Sequence, residues 1–280
     1  MSSPPGSFSA AALQWDVKRS DPSFNLGKAA SLLREAAAGG ARLALLPEMW
    51  ATSFPVAGEE DVLAEASRAQ EELLLLSREL DLVIGGSTAL QEGGRLYNAG
   101  FLLEKGRHLG WYRKIHLFRR AGEDRLFSPG RRPFLARTSL GRLGMVVCYD
   151  LRFPELTRWY FTRRVQVLLV PAQWPLARRE HFRLLARVRA LENQCFLLAS
   201  GRCGLDRSPL SGKMTRFAGS SCLVSPWGEV VAEMDPEEEG VLAARVDLAA
   251  LDKAEKELPL RGDRAPGVYA EIWKDWEDQE

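Results

Sequence analysis

Along the first third of the chain, short apolar runs alternate with segments in which apolar residues recur at helical spacing. Phe8–Gln14, Arg42–Leu46 and Leu82–Ile84 are short apolar runs of the kind that forms buried strands. Between them, Asn25–Ala38 and Asp61–Leu80 carry apolar residues at helical spacing. The resulting order, β–α–β–α–β, predicts a parallel or mixed sheet that is covered by helices.

The middle of the chain predicts a hairpin followed by a long loop. Tyr97–Leu103 and His108–Tyr112 are strand-like runs, and Glu104–Arg107 between them is a turn that contains glycine. The next segment, Arg119–Pro133, is polar and punctuated by glycine and proline. Loops of this length in compact domains are often functional.

The strand–helix alternation returns in the second half of the chain. The predicted elements are the strand Arg142–Val147, the helix Pro154–Arg163, the strand Val165–Val170, the helix Ala177–Asn193 and the strand Cys195–Ser200. A β-meander over Ser220–Val224, Val230–Glu233 and Val241–Val246 is expected to follow. We therefore expect a single domain over residues 1–280, in which two βαβ-type halves share one core. Residues 1–7 would be a loose leader and residues 248–280 a C-terminal tail.

Composition narrows the class of protein. With 46% hydrophobic residues, 27% charged residues and a net charge of +1, the chain resembles ordinary soluble proteins and not electrostatic nucleic-acid binders. No window approaches the roughly 20 apolar residues of a membrane span, and the N-terminus lacks the pattern of a secretory signal. Four widely spaced cysteines without a CxxC pair favour a reducing cytoplasm and argue against a zinc site.

Cys148 lies where a buried strand gives way to a helix that starts near Pro154. A thiol at such a turn lies at the top of a sheet, where backbone N–H groups face it and a helix N-terminus can favour thiolate. This is the position that a nucleophile requires. Cys195, Cys203 and Cys222 are interpreted instead as buried packing residues.

Two further residues at strand ends could carry chemistry. Glu48 follows an apolar strand, at the end of the sheet where α/β proteins build their sites. Lys114 ends another strand among aromatic and apolar residues. Each has a structural alternative, because Glu48 could be a surface acid and Lys114 could extend from a strand edge into solvent. Glu48, Lys114 and Cys148 follow one another at intervals of 66 and 34 residues.

The segments around these three residues strongly resemble the nitrilase superfamily of carbon–nitrogen hydrolases. The matching segments are Leu46–Glu48, Tyr112–Phe118, Cys148–Glu155 and Phe217–Gly228, and the resemblance extends from Phe8 to about Tyr269. It implies an α/β fold of four layers, the α-β-β-α sandwich of the nitrilase fold. It also implies a homodimer, with contacts from the helix that begins at Pro154 and from the tail that carries Trp273 and Trp276.

The resemblance implies a role for each matching residue. Cys148 would be the nucleophile that forms a thioester, and Glu48 would be the general base. Lys114 and the backbone N–H of Tyr149 would stabilise the oxyanion. The superfamily uses no metal or organic cofactor for this chemistry.

The superfamily also carries a second glutamate between its lysine and its cysteine. Glu123 stands ahead of Ser128–Gly130 as that residue does, and its implied role is to orient Lys114 and the substrate nitrogen. Asp124 is the neighbouring alternative.

Within the superfamily, the chain most resembles bacterial ω-amidases of the YafV type and the eukaryotic Nit proteins. That resemblance implies release of ammonia from 2-oxoglutaramate or a similar dicarboxylate monoamide. Because such a substrate carries a carboxylate, arginine is its natural partner, and the candidates are Arg202, Arg152 and Arg178. Trp174 could wall the pocket. Gln173 stands where the YafV group often has asparagine.

Three alternatives remain open at this point. The chain could be a related amidase that acts on deaminated glutathione or N-carbamoyl compounds. It could be a non-catalytic binding protein, although the intact set of Glu48, Lys114 and Cys148 argues against this. It could also use a Cys148–His116 dyad, as papain-like hydrolases do, but a structural role for His116 is favoured.

Overall fold

The computed structural model of the chain describes residues 6–54, 59–207 and 212–277, and within them it forms two six-stranded mixed sheets. Most of the expected leader, residues 1–5, lies outside the described residues. The elements of the first half are β1 (Ser7–Gln14), α1 (Pro22–Ala38), β2 (Ala41–Leu45), α2 (Glu60–Glu79), β3 (Val83–Glu92), β4 (Arg95–Glu104) and β5 (Arg107–Arg113). They match the predicted order, with β3 extending well beyond the expected Leu82–Ile84.

The second half begins with a strand that the sequence analysis did not predict. Its elements are β6 (Phe134–Thr138), β7 (Gly141–Met145), α3 (Pro154–Thr162), β8 (Val167–Ala172), α4 (Arg179–Asn193) and β9 (Phe196–Gly201). A separate hairpin follows, made of β10 (Leu205–Arg207) and β11 (Met214–Arg216), which also went unpredicted. The chain then continues through β12 (Cys222–Val224), β13 (Val230–Glu233), β14 (Gly240–Asp247), α5 (Ala249–Glu257) and α6 (Pro266–Glu277).

The two sheets have the same topology. The first has the strand order β14-β1-β2-β3-β4-β5, and the second, taken from its other end, has the order β6-β7-β8-β9-β12-β13. In each sheet an antiparallel edge strand comes first, three parallel strands follow, and two antiparallel strands complete the order. The prediction of two βαβ-type halves is therefore confirmed.

The predicted β-meander is wrong in its last strand. β12 and β13 pair as expected, but β14 pairs along its whole length with β1 in the other sheet. Without β14, the outer edge of β1 would leave its backbone N–H and C=O groups unpaired. The C-terminal strand thus completes the sheet that the N-terminal strand begins.

Helices cover the outer faces of the sheets, and the inner faces pack together. Successive residues of β1 alternate between these environments, since Ala11 packs in the core beneath α1 and α2, whereas Ala10 and Ala12 pack between the sheets. The helices α3 and α4 cover the outer face of the second sheet and bury Tyr160 and Phe182 against it. The result is the expected four-layer α-β-β-α sandwich.

The sheets approach most closely where glycine replaces a side chain. A Cβ atom added to Gly100 of β4 would lie 2.3 Å from Sδ of Met145, which projects from β7. Met145 also approaches Gly85 of β3. Glycine in these two strands therefore makes room for a methionine of the opposite sheet.

Gly100→Ala is expected to destabilise the protein by about 1–3 kcal/mol, because the added methyl group overpacks the interface between the sheets. Urea unfolding of Gly100→Ala, Met145→Ala and the double variant measures this free energy. In the Met145→Ala background the cost of Gly100→Ala should shrink, since the clashing sulfur is gone. An equal cost in both backgrounds would contradict this account of the packing.

Candidate active site

A cavity of about 820 Å³ lies at the ends of strands from both sheets. Glu48 follows β2, Lys114 follows β5 and Cys148 follows β7, and all three line this cavity. Carboxyl ends of parallel strands meet at one edge of a sheet, and here two such edges face each other. Residues that are far apart in the sequence are therefore brought together.

Lys114 lies between two carboxylates at the base of the cavity. Its Nζ is 2.8 Å from Oε1 of Glu48 and 2.9 Å from each carboxylate oxygen of Glu123. Asn98 donates from Nδ2 to both acids, at 2.8 Å to Glu48 and 2.9 Å to Glu123. Because these side chains are almost fully buried, the ammonium and the amide replace the water that the carboxylates have lost.

Glu123, and not its neighbour Asp124, completes this cluster. Its second oxygen accepts a hydrogen bond from the backbone N–H of Phe118 at 2.7 Å, and its side chain is buried. Asp124 is exposed and does not line the cavity. The loop Arg119–Pro133 contains two short 3₁₀ turns, and the second of them, Glu123–Arg125, places the acid.

Burial and charge act in opposite directions on these groups. Burial lowers the pKa of Lys114, but the charges of Glu123 and Glu48 outweigh it and hold this pKa well above its ordinary value. Burial raises the pKa of Glu123, although the Lys114 charge opposes the rise. Lys114 is therefore an ammonium ion in the resting protein.

Cys148 occupies a strained turn beside this cluster. Its φ of +48° lies in the left-handed region, and a five-residue 3₁₀ helix, Cys148–Arg152, begins at this residue. Burial and the negative charge of Glu48 raise the pKa of the thiol well above its ordinary value, against the Lys114 charge. Burial and the Glu48 charge therefore outweigh any stabilisation of thiolate by a helix N-terminus, and the α-helix itself begins only at Pro154.

The remaining three cysteines lie away from this cavity. Cys195, Cys203 and Cys222 are buried, and burial raises the pKa of each thiol to about 12. Cys195 and Cys222 belong to the hydrophobic core around the second sheet.

Glu48 is also held from the second sheet. Gln173, the residue after β8, donates from its backbone N–H to Oε2 of Glu48 at 2.9 Å. Its side-chain Nε2 donates to the backbone carbonyl of Glu48 at 2.8 Å. Neither this contact nor that of Asn98 was predicted from the sequence, in which Gln173 stood out only because the YafV group often has asparagine there. A polar residue within the apolar run Tyr97–Leu103 was the available signal for Asn98.

His116 is fixed by Asp150 and not by Cys148. Its backbone N–H and its Nδ1 atom both lie 2.8 Å from Oδ1 of the buried Asp150 carboxylate. The imidazole ring stacks on Phe153 with 3.6 Å between centroids. Within the described part of the chain, His116 does not line the cavity and makes no hydrogen bond to Cys148.

The expected substrate-binding residues fall into two groups. Tyr149, Arg152, Trp174 and Arg178 all line the cavity. The Arg152 guanidinium lies 4.7 Å from the centroid of the Trp174 ring, and Trp174 Nε1 donates to the backbone carbonyl of Arg178 at 2.8 Å. Arg202 does not line the cavity and is buried behind its wall.

Further basic side chains at the cavity were not predicted from the sequence. They are Arg19, Arg120, His181 and Lys213. Arg19 is paired with Asp206 at 2.8 Å. These residues lie on segments far apart in the sequence, among them the helix α4 for His181 and a 3₁₀ turn for Arg120, so only the folded chain brings them to one opening.

Two further features of the described residues concern metal binding and membrane-spanning helices. No three of their His, Cys, Asp and Glu side chains are grouped so that they could hold a metal ion. In the same part of the chain, every helix is too short or too polar to cross a membrane.

Comparison with known proteins places the chain in a family. A model of the carbon–nitrogen hydrolase family matches residues 9–256. The chain is 31% identical to 2-oxoglutaramate amidase of Bacillus subtilis (strain 168) over 265 residues, which cover 94% of this chain and 99% of that protein. It is 35% identical to the chloroplastic omega-amidase of Arabidopsis thaliana over 266 residues, which cover 89% of this chain and 70% of that protein.

A solved structure gives the same result. An amidase from Nesterenkonia sp. AN1, a member of the nitrilase superfamily, is 26% identical, with a TM-score of 0.79 and 99% of each chain covered. That structure is of a mutant and contains the acetamide moiety of fluoroacetamide, added covalently at the active-site cysteine. The expected nitrilase-type α/β sandwich and the expected class of hydrolase are confirmed. The chain belongs to the carbon–nitrogen hydrolase family.

Proposed function

We propose that the protein is an ω-amidase that releases ammonia from 2-oxoglutaramate or a similar dicarboxylate monoamide. The observation that carries the proposal is the cluster of a thiol, an ammonium and two carboxylates at one cavity, formed by Cys148, Lys114, Glu48 and Glu123. The relatives named as 2-oxoglutaramate amidase and omega-amidase support this choice of substrate.

In the first half of the reaction, the Cys148 thiol attacks the amide carbonyl carbon. Because its pKa is raised, the thiol needs a base, and Glu48 is the carboxylate whose charge and hydrogen bond act on it. Glu48 takes the thiol proton as the C–S bond forms. The ammonium of Lys114 and the backbone N–H of Tyr149 stabilise the oxyanion of the tetrahedral intermediate.

The second half of the reaction returns the protein to its starting state. The protonated Glu48 gives its proton to the leaving nitrogen, the C–N bond breaks, and ammonia departs from the Cys148 thioester. Water then attacks the thioester carbonyl carbon while Glu48 accepts a water proton. The acid leaves, and the proton returns to the sulfur.

Glu123 supports this chemistry from the side of Lys114. Both of its oxygens lie 2.9 Å from Nζ, so it holds the ammonium between itself and Glu48. Through Asn98, which donates to both acids, it also fixes the spacing of the two carboxylates. We assign it the orientation of Lys114 and of the substrate nitrogen.

The cationic opening of the cavity suits a substrate that carries a carboxylate. Arg152 rests on Trp174, which holds its guanidinium, and its Nη2 lies 3.5 Å from Nδ1 of His181, which leaves further N–H donors for a carboxylate. Arg178 lines the same wall. Arg202 is engaged elsewhere, so Arg152 and Arg178 are the proposed partners of the substrate carboxylate.

The proposal extends to a single domain over residues 1–280 and to a cytoplasmic homodimer. Four free thiols suit a reducing compartment. The helix α6 carries exposed apolar side chains, among them Val268, Ile272 and Trp273, as a contact of the tail with a second copy requires. The side chain of Trp276 lies outside the described residues.

The purified protein is expected to release ammonia from 2-oxoglutaramate, and Cys148→Ala is expected to abolish this activity. Rapid quenching and mass spectrometry should find an acyl adduct on the peptide that contains Cys148. Cys222→Ala, which removes a thiol from the core, is the control and should stay active. Absence of ammonia release from every dicarboxylate monoamide in a panel would reject the proposal. Faster turnover of N-carbamoyl compounds or deaminated glutathione, followed by the acid product, would favour the related amidase instead.

Glu48→Gln and His116→Asn separate the proposed base from the papain-like alternative. Glu48→Gln should slow thioester formation by about 100-fold or more, because the glutamine cannot take the thiol proton. His116→Asn keeps a donor near Asp150 and should have a much smaller effect. Stopped-flow release of ammonia in the first turnover measures both rates. The opposite ranking would make His116 the base.

The state of the thiol gives a pH-dependent prediction. In the wild-type protein Cys148 should still be protonated at pH 9.0, the ordinary pKa of the group, because burial and the Glu48 charge raise its pKa. In Glu48→Gln one cause of the rise is removed while Lys114 still lowers the pKa, so thiolate should form at lower pH. Ultraviolet absorbance, taken as a difference from Cys148→Ala, measures the thiolate. If thiolate began to form at the same pH in the wild-type protein and in Glu48→Gln, the proposed influence of Glu48 on the thiol would be contradicted.

A further inference from the structure

Arg202 is a fully buried arginine that the proposed reaction does not use. It follows β9 directly, and 1% of its side chain is exposed. Its Nη2 donates to Oδ1 of Asp16 at 2.8 Å and to the carbonyl of Val17 at 2.7 Å. Its Nη1 lies 3.2 Å from Oδ2 of Asp206, and its guanidinium lies over the Phe217 ring. These contacts fix the guanidinium in one orientation.

The same guanidinium also reaches the residue that holds Glu48. Nη1 of Arg202 donates to Oε1 of Gln173 at 3.3 Å, and the hydroxyl of Ser53, 2.9 Å from Nη1, lies against the same oxygen. An arginine side chain has donors but no acceptor, so only the oxygen of the amide can face it. The amide nitrogen must then point the other way, to the carbonyl of Glu48.

Arg202 therefore sets which way the Gln173 amide faces. If the amide were reversed, its NH₂ group would face the guanidinium and its oxygen would face the Glu48 carbonyl, with both hydrogen bonds lost. In the observed orientation the side-chain amide of Gln173 holds one point of Glu48, its backbone carbonyl. The backbone N–H of Gln173 holds a second point, Oε2 of the carboxylate, whichever way the amide faces. The second point constrains the carboxylate itself.

We propose that Arg202 is a positioning residue that orients Glu48 through the Gln173 amide. This inference rests on the proposed role of Glu48 as the base of the reaction. The pairs with Asp16 and Asp206 anchor Arg202, and they also explain why a residue so close to the cavity is not available to a substrate carboxylate. A substrate would have to displace Asp206 from it.

Arg202→Lys, Gln173→Met and the double variant test this route. Lysine keeps the charge between Asp16 and Asp206 but loses the planar fork, and methionine removes the amide at similar volume. Each single variant should lower kcat by about 10- to 100-fold through misplacement of the base, with a much smaller change in KM. The kcat of the double variant should be no lower than that of the slower single variant. Both substitutions interrupt the same chain of contacts, from Arg202 through Gln173 to Glu48, so their effects should not add.

The matched control is Arg183→Lys, which alters a paired arginine on α4 that lies against Glu233 and Glu180. It should keep the wild-type kcat. If the fold-loss of kcat in the double variant equals the product of the two single losses, the proposal is overturned. So would a rise in KM, with kcat unchanged, that is confined to substrates with a carboxylate. If thermal unfolding shows that Arg202→Lys does not fold, Gln173→Met alone becomes the test. A wild-type kcat for Gln173→Met would then overturn the proposal.

Alkylation of Cys148 by iodoacetamide keeps this test separate from the choice of substrate. If the wild-type protein hydrolyses no amide, the proposed function fails, but the alkylation rate still reports how well Glu48 activates the thiol. Glu48→Gln sets the rate without the base, and peptide mass spectrometry identifies the modified cysteine. Arg202→Lys and Gln173→Met should both slow alkylation towards that rate. Wild-type rates in both would reject the positioning role.

Discussion

The structure of the site depends on one buried ammonium that is shared by two carboxylates. A carboxylate that is removed from water is unstable unless charge and hydrogen bonds replace its hydration, and here Glu48 and Glu123 share the charge of Lys114. One positive charge does not balance two negative charges. The difference is met by N–H donors, from Asn98 to both acids and from the backbone of Gln173 to Glu48. Each of these donors comes from a different element, so the cluster requires the whole sandwich.

The repeated topology explains how those elements reach one place. β2 and β8 occupy equivalent positions in the two sheets, as the second of three parallel strands. Glu48 follows the first and Gln173 follows the second, and the two residues bond to each other across the interface. Close contact of the sheets is possible because Gly100 leaves space for Met145. The two sheets must therefore pack closely for residues that follow β2 and β8 to form these hydrogen bonds.

Position at a strand end made Glu48, Lys114 and Cys148 candidates, each with a structural alternative. The resemblance to the nitrilase superfamily joined them into one predicted site and added Glu123. Asn98 and Gln173 could not be found in this way, because what matters in them is a partner 50 and 125 residues away. Arg202 was expected to bind substrate because it follows a strand. Its position was correct, but two acidic partners hold it behind the cavity wall: Asp206, which follows shortly after it in β10, and Asp16, which lies at the other end of the sequence.

The neutral thiol and the shared ammonium have a joint consequence for the proposed reaction. With Glu48 and Glu123 written as carboxylates, Lys114 as an ammonium and Cys148 as a neutral thiol, the formal charge of the site before the reaction is −1. When the thiol proton moves to Glu48 and the sulfur attacks, the negative charge passes to the oxyanion, and the sum is unchanged. No net charge is created in a buried site, where it would be costly. Protonation of Glu48 also removes one of the two carboxylate charges at Lys114, so its ammonium becomes free to meet the oxyanion as that oxyanion forms.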